Sequence, residues 1–147
     1  MKEIYNPDCL FCKFCKHEMD TAIVYENDYV ICFLDINPAG TLEGHTLVVV
    51  KEHCPSIETC SEKTLAEAMK AIKQLIPTIK KVSGAEAINV LNNNGKEAGQ
   101  LIPHTHFHII PRKHGDGIRF EENRRPLKPM EQIEVAKAIK EELQTQD

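Results

Sequence analysis

The sequence predicts an α+β domain: a five-stranded antiparallel sheet with a long helix and a C-terminal helix. Three observations lead there. Five short runs rich in β-branched or aromatic residues are joined by hairpin-length turns or by helical stretches. Two longer segments space their apolar residues three and four apart. No internal repeat or low-complexity stretch interrupts them, and 147 residues suit one domain that needs no staples for its core.

The elements follow in order. Ala22–Tyr25 and Tyr29–Leu34 flank the polar turn Glu26-Asn27-Asp28 and read as a hairpin. Asp35–Gly44 carries Asn37-Pro38, Gly40 and Gly44, so it is a loop. Thr46–Val50 is a buried strand. From Ser61 to about Lys81, residues Leu65, Ala68, Met69, Ile72, Leu75, Ile76 and Ile79 mark one helix face. Ser61 is placed to cap it with Thr64 three residues on, and Gly84 to close it. Pro77 within that span should kink or shorten the helix. Ala87–Leu91 is the fourth strand and runs into the turn-rich Asn92–Gly95. His106–Ile110 is the fifth, ended by Pro111. Pro129–Leu143 is an amphipathic helix through Met130, Ile133, Val135, Ala136, Ile139 and Leu143. The helices are expected on one face of the sheet.

Composition removes several classes of function. Apolar residues make up 41% and charged residues 27%, which indicates neither disorder nor a membrane protein. The longest apolar runs, Leu47–Val50 and Ile109–Ile110, are far too short to span a bilayer. A formal charge of −4 argues against a general nucleic-acid binder, and Lys128, Lys137 and Lys140 alternate with glutamates as on a solvated face. The polar start, Met1 to Asp8, has no apolar signal region, so a cytoplasmic chain is expected. Six cysteines are then more consistent with metal or redox chemistry than with a disulfide framework. Cys9, Cys12 and Cys15 are crowded together, Cys54 and Cys60 are scattered, and Cys32 lies in an apolar run as an inert core residue.

The segment His104-Thr105-His106-Phe107-His108 carries the chemistry. Alternation along a strand puts the three imidazoles on one face, about 6.6 Å apart at Cα for a rise of ~3.3 Å per residue. Phe107 points the other way and can pack on a helix. Three adjacent rings need partners or water, so that face is not ordinary core. Gly99-Gln100 precedes the run and Pro111-Arg112 follows it. His45, after Gly44, opens another apolar strand.

Gly99-Gln-Leu-Ile-Pro-His104-Thr-His-Phe-His108-Ile-Ile-Pro111-Arg112 resembles the signature of the histidine-triad nucleotide hydrolases and transferases, in the zinc-containing bacterial and archaeal-type branch. Asp35-Ile-Asn-Pro38, Gly44-His45-Thr-Leu-Val-Val, Lys51-Glu-His53 and Leu91-Asn-Asn-Asn-Gly95 resemble family segments in family order, so the likeness runs from about Cys9 to Arg119. It implies that His106 attacks the α-phosphate of a nucleotide, with a nucleotidyl-histidine intermediate that water or another acceptor resolves. A neutral imidazole is a competent nucleophile toward phosphorus. His108 and His45 would flank and orient the phosphate, Gln100 would donate to it and Asp35 would accept from the ribose hydroxyls. Ile36 would touch the base, and Asn93 and Gly99 would border ribose or phosphate. Read without the resemblance, Asp35, Asn93 and Gln100 are polar loop residues, and Gly95 and Gly99 are turn glycines.

The resemblance further implies a purine nucleoside monophosphate derivative of the adenosine-phosphoramidate type as substrate, a homodimer, and no organic cofactor. A dinucleoside polyphosphate is the alternative substrate. A metal-dependent hydrolase in which His104, His106 and His108 share an ion, and a non-catalytic nucleotide-binding module, are the readings from other classes. The chain departs from the family at Leu101, where many members carry a hydroxyl that donates to the leaving group. The loop from Asp35 to His45 is about two residues longer than usual, through Thr41-Leu-Glu43. Arg124-Arg125-Pro126 is a place to seek further substrate contacts.

Cys9-Leu-Phe-Cys12 has the spacer of a zinc knuckle and needs two more ligands for a closed site. By resemblance these are His53 and His104, giving a structural zinc. An antiparallel pairing of the His45 and His106 strands would put His45 beside His108, and His53 and His104 toward the opposite end. A reduced cysteine pair, or zinc through Cys12 and Cys15, are the competing readings; Cys15 and His17 are otherwise spare, and His114 sits in a glycine-rich loop. The whole chain, 1–147, then divides into a knuckle at 9–17, a core at 18–119 and a helical extension at 120–147.

Overall fold

A computed structural model describes residues 5–120 and 124–146 of the chain. Residues 121–123 and 147 of the expected extension lie outside the described residues. The elements are α1 (Leu10–Cys15), β1 (Ile23–Glu26), β2 (Val30–Leu34), β3 (Thr46–Val50), α2 (Glu62–Ser83), β4 (Ala87–Leu91), β5 (His106–Arg112) and α3 (Pro129–Thr145). The sheet order is β1-β2-β3-β5-β4, with every neighbouring pair antiparallel. This is the α+β architecture expected.

The alternation of side chains divides the sheet into two faces. Val30, Cys32, Val48, Val50, Phe107 and Ile109 meet Ala68, Ala71, Ile72, Leu75 and Ile79 of α2. Ile31, Phe33, Leu47 and Val49 point the other way and meet Cys9, Phe11 and Cys12 around α1. Burying a side chain such as Ile72 or Ile109 contributes roughly 2 kcal/mol, more than the differences in helix propensity along α2. Packing against the sheet therefore decides the helix. Cys32 is fully buried, and that burial pushes its thiol up to about 12, so it is unreactive packing.

Four expectations need correction. First, helices do not share one face: α2 covers one side, α1 part of the other, and α3 packs on neither, with no buried residue. Second, Pro77 does not shorten α2, which continues to Ser83. Pro77 and Lys73 both lie on the exposed face, where the carbonyl deprived of its donor can be hydrated. The expected ends hold, with Ser61 Oγ accepting from Thr64 N at 3.2 Å and Gly84 at φ 71°.

Third, Pro111 lies inside β5 rather than ending it. The Arg112 carbonyl faces β4, accepting from Glu86 N, so Pro111's backbone points toward β3. Pairing with β3 stops at Thr46–Ile109, and the absent N–H interrupts no ladder there. Fourth, Cys54 and Cys60 form a disulfide. The short 3-10 turn Ile57–Thr59 folds the chain back and brings their Cα atoms to 5.2 Å. Among the described residues no helix is long and apolar enough to cross a membrane.

Candidate active site

Two clusters of histidine and cysteine occupy opposite ends of the sheet face that α1 only partly covers. The first is a cavity of about 500 Å3. Asp35, Ile36, His45, Asn93, Gly99, Leu101, His106 and His108 are on its wall, and Leu10, Phe11, Phe14 and Phe33 supply an apolar side. Pairing of Leu47 with His108 places that imidazole beside the start of β3, where His45 stands, and pairing of Val49 with His106 sets the next ring two residues further along.

The proton positions follow from fixed partners. His106 Nδ1 lies 2.7 Å from the His104 carbonyl, which can only accept, so Nδ1 carries the proton. In the neutral ring Nε2 then holds a lone pair. Ala39 N donates to His45 Nδ1 at 2.9 Å, so His45 is protonated at Nε2. That atom lies 2.9 Å from His108 Nδ1 and donates to it, leaving the His108 proton on Nε2. Asp35 Oδ2 stands 3.6 Å from His45 Nε2. One basic nitrogen on His106 and one N–H on His108 thus remain for a ligand. Burial lowers the pKa of His106 and His45 and takes His108 down to about 4, so all three are uncharged at neutral pH. The neighbouring His106 and His45 add to the effect at His108.

Phe11 was not singled out from sequence, where its segment was read only as a knuckle. Its ring sits edge-on to His106 with centroids 4.9 Å apart, so α1 forms a wall against this histidine. Asp116 was also missed. It accepts from Arg112 Nε at 2.7 Å and from the amides of Lys113 and Ile118. The Arg112 hydrogen bond holds its carboxyl well below the usual carboxylate range. This clamp shapes the turn that delivers Ile118 and Phe120 to the cavity wall. Its signal was the Arg112-x-x-x-Asp116 spacing in a glycine-bearing stretch.

Gln100 turns away from the histidines. Its Nε2 donates to the Pro55 carbonyl at 2.6 Å and its Oε1 accepts from Gly95 N at 2.8 Å. It lines a second cavity of about 530 Å3, with Pro55, Ser56, Glu58, Asn94, Lys96 and Pro103. Leu101 belongs to both cavities and is 93% exposed. Thr41–Glu43, the extra loop residues, are absent from the first wall as described.

The second cluster joins Cys9, Cys12, His53 and His104, whose ligand atoms all lie within 4.8 Å of one another. Cys9 Sγ–His104 Nδ1 is 3.3 Å, Cys12 Sγ–His53 Nδ1 3.2 Å, Cys12 Sγ–His104 Nδ1 3.6 Å and His53 Nδ1–His104 Nδ1 3.2 Å. A tetrahedral zinc with bonds of about 2.3 Å to sulfur and 2.0–2.1 Å to nitrogen sets such pairs at about 3.3–3.6 Å. These four separations match that shell within a few tenths of an ångström, and the remaining two pairs lie within 4.8 Å. His104 Nε2 lies 2.6 Å from the Val50 carbonyl and carries the proton, which leaves the Nδ1 lone pair toward the cysteines. Cys15 lies outside the set, against the Val50 carbonyl. His17 pairs with Glu26 at 2.8 Å, and His114 is exposed. A shared ion on His104, His106 and His108 has no support, because the His104 ring joins the cysteines while His106 Nδ1 is committed to a carbonyl. Among the described residues the other potential metal group is Asp35, His45 and His108, whose two rings hydrogen-bond each other.

The HIT domain family matches residues 16–115, most of the chain. This protein belongs to the HIT family. An uncharacterised HIT-like protein of Methanocaldococcus jannaschii is 42% identical over 134 residues, covering 90% of this chain and 98% of its own. An adenosine 5'-monophosphoramidase of Schizosaccharomyces pombe is 36% identical over 138 residues, covering 92% of this chain and 95% of its own. The crystal structure of a histidine triad nucleotide-binding protein from Candida albicans superposes with a TM-score of 0.86 at 30% identity, over 95% of this chain and all of that one (100%). The five strands and their order therefore belong to a HIT protein whose matched region includes both clusters except Cys9 and Cys12.

Proposed function

We propose that this HIT protein is a nucleotide hydrolase or transferase acting at the α-phosphate of an adenosine phosphoramidate-type substrate, through a nucleotidyl-His106 intermediate. One observation carries the reading: His106 Nδ1 is spent on the His104 carbonyl, so the basic Nε2 of a cavity-lining ring is the nucleophile. Attack forms a P–N bond as the bond from phosphorus to the leaving group breaks. Water or another acceptor then attacks phosphorus, and His106 departs as a neutral ring. His108 Nε2–H donates to a phosphate oxygen and is held in register by His45. Phe33, Phe11 and Ile36 offer apolar surface to a base, and Asp35 Oδ2 can accept from a ribose hydroxyl. Leu101 has no donor, so a proton for the leaving group comes from water or a histidine. Activity named for the fission-yeast relative is of this type.

Acid quenching during turnover of a slow adenylated amine, followed by peptide mapping, tests this. An adenylyl group on His106 is expected; full turnover by His106→Ala sinks the reading. The second cavity, meeting the first at Leu101, favours one alternative, a dinucleoside polyphosphate whose distal half lies there. Comparing diadenosine tetraphosphate with adenosine phosphoramidate decides between them.

Cys9, Cys12, His53 and His104 would hold a structural zinc, because four protein ligands leave no position open. With an ion bound, these residues would tie α1 to the sheet and so hold Phe11 against His106. A homodimer is also part of the proposal. Met130, Ile133, Val135, Ile139 and Leu143 of α3 are each more than half exposed among the described residues, and Val135, Ile139 and Leu143 share one side of the helix.

A further inference from the structure

The Cys54–Cys60 disulfide takes no part in the chemistry above, yet its loop is fastened to the segment that carries the reactive histidine. The Cys54 carbonyl accepts from both Thr105 N and Thr105 Oγ1, each at 2.8 Å. Thr105 stands between His104 and His106 and is almost fully buried. The Pro55 carbonyl accepts from Gln100 Nε2 at 2.6 Å, and Ile57 N donates to Asn94 Oδ1 at 2.9 Å. Three consecutive anchor points therefore tie residues 54–57 to residues 94–105. On the near side of the same loop, Pro55, Ser56 and Glu58 form one wall of the second cavity, facing Asn94, Lys96 and Gln100.

We propose that Cys54–Cys60 is a site of reversible thiol–disulfide modification, and that its oxidised form clamps the 94–105 segment in the arrangement the reaction needs. The clamp follows from connectivity. The disulfide closes a loop of six residues' separation, most of it exposed, so the covalent bond adds a restraint to a turn and hydrogen bonds that water can compete for. Opening it leaves residues 55–59 held only by the short turn Ile57–Thr59 and the hydrogen bonds above, so the bonds to Thr105, Gln100 and Asn94 lose the covalent restraint on their acceptors and donor. The partner is a dithiol reductant. Cys54 is 2% exposed and Cys60 half-buried, so attack falls on Cys60 Sγ. The reductant's thiolate forms a mixed disulfide there, the Cys54–Cys60 bond breaks, and Cys54 leaves as a thiolate that takes up a proton. The reductant's second thiol then attacks its own bonded sulfur, releasing Cys60 as a thiol. Two electrons pass to the protein and the reductant ends as a disulfide.

The inference rests on the pocket being the reaction site, and its test separates the two. Wild type in zinc-supplemented buffer is assayed with adenosine phosphoramidate after equilibration with oxidised or reduced dithiothreitol, with the thiol state read by mass spectrometry. Reduction is expected to lower kcat/KM about tenfold, the scale of a small misplacement near reacting groups. Re-oxidation should restore it, and Cys60→Ser should sit at the reduced level without responding to dithiothreitol. AMP affinity, measured by calorimetry on the same two wild-type states, should fall several-fold on reduction and does not depend on turnover. A protein inactive in both states but with redox-dependent AMP binding sinks the hydrolase reading and upholds the clamp. Equal kcat/KM and equal AMP affinity in two states shown by mass to differ by two hydrogens overturns the clamp. So does an air-equilibrated protein with no Cys54–Cys60 bond.

Discussion

The smallest decisive unit is the pair of ring nitrogens on His106. One is held by the chain two residues back, so ring orientation and tautomer are fixed before any ligand arrives. His106→Asn should reduce kcat by about a thousandfold or more, since no other cavity residue offers a free imidazole nitrogen in line. His45→Phe removes the donor that sets His108 and the acceptor of Ala39 N while leaving the His106 ring in place, and a loss of roughly ten- to a hundredfold is expected. Steady-state kinetics on both variants ranks the roles; equal losses would contradict the division of labour. Acid should matter late: burial holds His106 below the ordinary histidine value and His108 near 4, so kcat/KM should fall at a lower pH than the titration of a free imidazole would give, and only as these rings protonate. The histidines were legible in sequence because alternation put them on one face. The tautomers were not, because they depend on the carbonyl of His104 and the amide of Ala39, whose direction only the folded backbone defines. Gln100 was misleading for the same reason: a loop amide's partner lies 45 residues away at Pro55.

At the level of elements, α1 is six residues long, too short to be stable alone. Its place is set by Phe11 and Phe33 in edge contact, 5.9 Å apart, and by the cysteine–histidine cluster. Phe11→Ala should cost about 3 kcal/mol of stability and raise KM by opening the wall beside His106; denaturant titration and kinetics read the two effects separately. Chelation of the proposed zinc should lower Tm by several degrees and raise KM with a smaller change in kcat, because His106, the proposed nucleophile, is in a separate cluster. An unchanged Tm after confirmed metal removal contradicts the structural role. Strands and α2 were visible in the sequence through period and caps. The continuation of both elements past a proline was not: Pro111 faces no ladder partner in β5, and Pro77 lies on the exposed face of α2, where the carbonyl it leaves without a donor can be hydrated. The position of α1 against the second sheet face was equally hidden, since a short helix has no period to read.

Across the whole molecule, stability and pH are linked through the buried rings. An unfolded histidine titrates near 6.5, whereas folded His108 titrates near 4. Between those values the unfolded chain binds a proton that the native chain refuses, so stability is full above about pH 6.5 and declines as pH falls toward 4. His108→Asn should flatten that decline in denaturation curves taken from pH 7 to 4; an identical slope would argue against it. Deleting α3 should leave the core's Tm nearly unchanged and convert the proposed dimer to a monomer in sedimentation, because none of its residues is buried in its own chain. The alternation in β5 has one more consequence. Phe107 and Ile109 anchor the strand against α2 while His106 and His108 stand on the reverse side, so selection acting on substrate choice and selection acting on folding read different letters of the same heptapeptide. Randomising the cavity-side positions should therefore yield libraries whose members differ widely in turnover yet melt within a narrow range.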